Sequence, residues 1–191
     1  MHAEHTISSS LIRRGILLLL VAASFGSVLL SQTVTPASGG GAVSADNTGG
    51  TYVTLTGPVY SEAANGDVGL GTIILNVPSG FAFDTGGTAP TVLITRTGGN
   101  GGDQRNINNV GTGTSVAVTS VTTTAITFTV TDVTTNGVTN SLTWQNVRVR
   151  PTAGTPLAAG NITESGTSTM AGISHEIEAV AAGGPIPDSL Q

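Results

Sequence analysis

Between residues 51 and 170 no stretch keeps apolar residues at the three- and four-residue spacing with which a helix buries one face. Apolar residues recur instead at every second position, in short runs. Ile73, Leu75 and Val77 share one face of LGTIILNV; Val92 and Ile94 share one face of APTVLITRT; Ile126, Phe128 and Val130 share one face of AITFTVTDV. Side chains along a strand point alternately to opposite sides, so each run offers one face to a core and another, rich in threonine, to water. Turn residues punctuate the runs at Gly57-Pro58, Asn65-Gly66-Asp67, Pro78-Ser79-Gly80 and Asn136-Gly137. Asn136-Gly137 predicts a tight hairpin, because both central residues of a type I′ turn need positive φ. The pattern predicts an all-β fold of seven to nine strands. A single antiparallel β-sandwich, Ig-like or jelly-roll-like, is expected over a barrel.

The ends of the chain read differently. Arg13-Arg14 precedes an uncharged apolar run from Ile16 to Leu30. A basic region followed by an apolar one is the pattern of a secretory signal peptide, and the run is shorter than the ~18 residues that a membrane span needs. Residues 1–31 are therefore expected to be an export signal, meeting a membrane only during export, with cleavage after Ser31 or, second, after Gly26. Residues 32–50 are rich in Gly, Ser, Thr and Ala and read as a flexible leader. The sandwich is expected over 51–173. Residues 174–191, with HEIEAV at 175–180, are expected to add a last strand and a tail.

Composition excludes several kinds of function. The chain has no lysine, and loss of the signal would leave four arginines against ten carboxylates, a formal charge of −6. Without a basic stripe, nucleic acid is not an expected partner. The absence of cysteine rules out disulfides, thiol catalysis and thiolate metal sites. Beyond the signal the only histidine is His175, flanked by Glu176 and Glu178, and there is no G-x-S-x-G or H-E-x-x-H motif. Glu62, Asp67, Asp84, Asp103, Asp132 and Glu164 fall mostly at turns, where Asp is favoured for its local backbone hydrogen bonds. No catalytic residues and no enzyme activity are expected. No cofactor is expected either, with Ca²⁺ the one candidate, through oxygen atoms of Asn65, Asp67 and Asp103. The polar loop GGNGGDQRNINN, 98–109, lacks the lysine and following helix of a phosphate cradle. Asn161-Ile162-Thr163 fits the glycosylation acceptor pattern, which is short and frequent by chance.

SLTWQNVRVRP, 141–151, holds the only tryptophan. Counting by twos, Leu142 and Trp144 share one face, while Val147 and Val149 fall on the other. A regular strand cannot bury all four. A bulge at Gln145-Asn146 would flip the phase and bury them together, leaving Arg148 and Arg150 on an outer face. Without it, Trp144 stands exposed beside two arginines. In that case Trp144, Arg148, Arg150 and Tyr60 are the candidate ligand-binding residues, a stacking platform for sugar rings or for another chain.

GTIILNVPSGFAFDTGG (71–87), AITFTVT (125–131) and SLTWQNVRVRPTAGTPLAAGNI (141–162) together resemble a Thr/Gly-rich, cysteine-free β-sandwich module of large secreted and cell-surface bacterial proteins, similar in kind to cohesin-like and carbohydrate-binding-like sandwiches. The resemblance spans roughly residues 51–173. It implies an extracellular or cell-surface role and brings no catalytic residues. Two functions are expected from it: a structural or adhesive module that meets other surface or matrix chains, or a carbohydrate-binding module that meets a polysaccharide.

Overall fold

A computed structural model describes residues 32–43, 49–99, 104–152, 160–170 and 180–182. The described residues form thirteen strands: β1 (Thr33–Thr35), β2 (Val53–Thr54), β3 (Val59–Ser61), β4 (Gly71–Asn76), β5 (Phe81–Phe83), β6 (Thr91–Gly98), β7 (Thr114–Ala117), β8 (Ser120–Val121), β9 (Ala125–Val130), β10 (Thr139–Gln145), β11 (Arg148–Pro151), β12 (Gly160–Gly166) and β13 (Val180–Ala182). Their number exceeds the seven to nine expected, because β2 and β8 have two residues and several others three, too short for alternation to be read. All pairings are antiparallel.

The strands form two five-stranded sheets, ordered β1-β3-β10-β6-β7 and β13-β12-β4-β9-β8, and a small sheet β2-β11-β5; none closes into a barrel. The inner positions are those that period two selects. Ile73 and Leu75 of β4 and Ile126, Phe128 and Val130 of β9 face Val92 and Ile94 of β6 and Leu142 and Trp144 of β10 in one core. Phe128 and Trp144 meet edge to face, with centroids 6.4 Å apart and planes at 77°. Such a pair adds about 0.5–1.5 kcal/mol beyond the area it buries.

Two local expectations come out differently. Asn136 and Gly137 do turn with positive φ, 54° and 79°, and Val138 N–H donates back to Thr135 O at 3.1 Å. They do not close a hairpin, however. β9 lies in one five-stranded sheet and β10 in the other, and residues 131–138 carry the chain across. Residues 32–43 are built into the sheets and not a loose leader: β1 pairs with β3, Ser38 bridges Thr56, and Ala37 and Val43 are buried. The described part of the polar loop, 104–109, sends Ile107 fully into the core. His175 and most of HEIEAV lie outside the described residues, as do Asp103 and residues 1–31.

β12 approaches β4 so closely at Gly166 (φ 136°) that a Cβ there would collide with Thr72 O, which explains the glycine at that position.

Candidate functional site

The phase problem of 141–151 is solved by a change of sheet. β10 stops at Gln145, Asn146 takes a positive φ of 57°, and β11 starts at Arg148 in the small sheet. The kink moves the inner phase by one, so Leu142, Trp144, Val147 and Val149 are all buried. The phase flips at the expected place, but through a strand break and not a bulge within one ladder. Trp144 is 2% exposed and Tyr60 also 2%. A stacking platform made of these two rings is therefore not open to solvent. With Val34, Leu75, Glu164 and Met170 they line a cavity of about 20 Å³, room for a single water.

The two arginines are engaged too, on the other side of the strand. Arg148 Nη2 donates to Asp84 Oδ2 in an ion pair. Gly87 packs against that guanidinium, where any side chain would displace it. Arg150 lies 4.5 Å from the centre of the Tyr52 ring and donates to Gly49 O at 3.2 Å. Trp144, Tyr60, Arg148 and Arg150 thus do not converge on one surface: the rings are core and the cations clamp loops to the small sheet.

The titratable chemistry gathers around a residue that the sequence did not single out. Glu62 is 6% exposed. Its Oε2 accepts from Asn140 N–H at 2.8 Å, and its Oε1 accepts from the Thr134 hydroxyl at 3.0 Å and Val68 N–H at 3.2 Å. Burial pushes its carboxyl above the usual glutamate value; these three hydrogen bonds pull the other way, and the charge of Asp67 adds a further push upward. Burial, then the charges of Asp67 and Glu62, push the Tyr60 phenol up as well. Asn140, fully buried, extends the network. Its Oδ1 accepts from Ile107 N–H at 2.8 Å, and its amide donates to Asn106 Oδ1 at 3.0 Å, which Arg96 Nε also reaches at 3.0 Å. One chain of polar contacts thus ties together the segments around 62–68, 104–110 and 134–140.

A signal for this network lay in the same period-two count. Tyr60 faces in, so Glu62 does; Leu142 and Trp144 face in, so Asn140 does; Ile162 faces in, so Glu164 does. All three polar residues occupy core positions of apolar rows.

Of the calcium candidates, Asp103 lies outside the described residues, and Asn65 and Asp67 sit in one bend of the chain. Asp67 Oδ2 accepts from Ala63 N–H and Ala64 N–H, each at 2.8 Å, which is the work of a turn residue, and Asn65 is exposed. Among the described residues no group of three or more His, Cys, Asp or Glu could hold a metal ion. An open cleft of about 260 Å³ lies beside Arg96, Thr97, Gly98, Gly99 and Thr112. Arg96, its one charged group among the described residues, is already bound to Asn106 and Gln104.

The outer faces of the two five-stranded sheets carry hydroxyls in cross-strand rows. On the first, Ser61 meets Ser141 at 2.9 Å, Thr97 meets Thr139 at 3.0 Å, and Thr91 and Ser115 both donate to Gln145 Oε1. On the second, Thr119 meets Thr129 at 2.7 Å and Asn76 donates to Ser165 at 2.8 Å. No charged residue stands on the outward positions of these strands. Glu164 and Arg96, the charges within the two sheets, occupy the inward phase. No protein-family model, curated protein or solved structure matches the chain.

Proposed function

We propose that the protein is an exported, cell-surface or extracellular β-sandwich module, Ig-like or jelly-roll-like in kind, that acts by surface contact and not by catalysis. The observation that carries this reading is the pair of uncharged, hydroxyl-lined sheet faces. Soluble proteins ordinarily intersperse charges of both signs over their surfaces, which keeps copies and neighbours apart. Here the described charges sit in the core, in loops and on the small sheet, while the broad faces are left neutral. Such faces suit contact with an uncharged neighbour, a matrix chain or a neutral surface. The Arg13-Arg14 and Ile16–Leu30 pattern supports export.

Carbohydrate binding is the second reading. Its support is the hydroxyl rows alone, since Trp144 and Tyr60 are buried. Fractionation of cells producing the full chain tests the first reading. Recovery in the medium or on the outer surface is expected, and retention in the cytoplasm would overturn it. Pull-down of the exported protein on insoluble neutral polysaccharides separates the two: retention favours the glycan module, and passage without retention favours protein contact.

A further inference from the structure

We infer that Asn136 is a site of spontaneous deamidation, at which the chain converts its own turn residue to aspartate or isoaspartate with water as the only co-reactant. Asparagine is among the thermolabile residues. The backbone nitrogen of Gly137 gives up its proton and attacks Cγ of Asn136. A C–N bond forms, and the side-chain nitrogen leaves as ammonia. Water then opens the five-membered succinimide at one carbonyl or the other. Glycine favours the step because it has no Cβ to obstruct the closing ring.

The described residues hold two Asn-Gly pairs, and the two are closely matched. Asn65, Gly66, Asn136 and Gly137 are all exposed. The glycines have φ of 81° and 79°, and nothing would crowd a Cβ on either. What separates the pairs is the nitrogen that must react. Gly66 N–H donates to the Thr134 hydroxyl at 2.8 Å. Thr134 is 1% exposed and donates its own proton to Glu62 Oε1, so its oxygen is fixed in place and turns lone pairs toward Gly66. A Gly66 nitrogen that lost its proton would face those lone pairs, and ring closure would have to swing it off them. Gly137 N–H has no hydrogen-bond partner among the described residues, so the same step breaks nothing there.

The product would alter a crowded corner. Asn136 lies in the segment 131–138 that carries the chain between the five-stranded sheets. Its carbonyl accepts from Gln104 Nε2 at 3.0 Å, and Gly99 packs so closely on Gly137 O and Val138 Cα that a Cβ on Gly99 would collide with both. Isoaspartate routes the backbone through one extra carbon. Either product adds a negative charge to a stretch, Val133 to Val147, that has no charge of its own.

Peptide mapping of the purified protein, held at mildly alkaline pH, tests the assignment. The chain has no lysine, so trypsin cuts only after arginine. The peptide ending at Arg96 carries Asn65, and residues 106–148 carry Asn136. A third pair, Asn100-Gly101, lies outside the described residues and falls in a separate peptide, 97–105, so it does not blur the comparison. The mass change of amide to acid is expected in 106–148 about tenfold faster than at Asn65, the factor that one broken hydrogen bond imposes on a rate. Asn136→Gln should abolish it. In denaturant the two rates should converge, because both pairs are Asn-Gly. Thr134→Val should raise the Asn65 rate, and Thr134→Ser, which keeps the hydroxyl, should not. Should these variants not fold, the native and denatured rates of the wild-type protein decide alone. Equal native rates, faster change at Asn65, or a difference that persists in denaturant overturns the assignment.

Discussion

β3 and β10 lie side by side, and their inner row changes character along its length. At one end Tyr60, Leu142 and Trp144 are packed against Leu75 and Phe128; at the other, Glu62 and Asn140 occupy positions of the same phase and the same burial. The apolar half is held by contact area, which is non-directional and degrades gradually when a side chain shrinks. The polar half is held by named donors and acceptors, and removing one leaves others buried without partners. One layer of one fold therefore contains two different kinds of stability.

Trp144→Ala should break the apolar half. The indole is 2% exposed and is the largest side chain in the chain. Its truncation is expected to cost about 3–5 kcal/mol, read as a lower denaturant midpoint with little change in slope. Before any substitution, emission from Trp144 should be blue-shifted and poorly quenched by an aqueous quencher. Ready quenching would contradict the buried indole and return it to the surface.

Glu62→Ala should break the polar half at a smaller cost, about 2–3 kcal/mol, because Asn140 N–H, Val68 N–H and the Thr134 hydroxyl would lose their acceptor. Its signature is positional. Amide exchange should quicken at 62–68, 104–110 and 134–140 together while the Phe128–Trp144 region stays protected. Uniform loss of protection would mean that the network merely contributes to a single cooperative core.

The same carboxyl gives the comparison a pH axis. Glu62 is held above its ordinary value of 4.5, chiefly by burial. Its folded form keeps a proton that the unfolded chain has already released. The stability it contributes is thus fully present below that ordinary value and is lost as pH rises through the raised one. The quantity to measure is a difference, so that everything but Glu62 cancels. Denaturant midpoints of wild type minus those of Glu62→Gln should fall with rising pH across the acidic range. A flat difference would show that Glu62 titrates in the folded state as it does unfolded.

How much of this was legible beforehand follows the same division. The inner apolar row could be read because alternation is a local property of six or seven residues, and the break at Gln145-Asn146 because four apolar residues could not share one phase. Glu62 and Asn140 were equally legible by the count, yet a polar residue at an inner position signals burial only when its partners are known. Those partners, Val68, Thr134, Asn106 and Ile107, come from segments up to 72 residues away. The Asn136-Gly137 turn has the predicted dihedral angles and not the predicted pairing, because turn chemistry is local while sheet membership is decided across the whole fold. The candidate binding set failed for a related reason. Trp144 and Arg148 are neighbours in sequence, but one belongs to the first sheet's core and the other to the small sheet's Asp84 clamp.

The finest distinction between the two halves comes from conservative substitutions. Trp144→Phe keeps an aromatic ring against Phe128 and deletes an indole N–H that meets no hydrogen-bond partner among the described residues. No donor or acceptor is orphaned, so the cost should be the lost area alone, about 1 kcal/mol. Asn140→Leu is equally conservative in volume, yet it strips Ile107 N–H of its acceptor and Asn106 Oδ1 of a donor, and should cost about 2 kcal/mol. The order of these two values is the test, whatever their absolute size. If Trp144→Phe proved the more damaging, the buried indole N–H would be bonded after all, most simply to a water in the adjoining cavity, and the boundary between the two halves would lie beyond Trp144 and not before it.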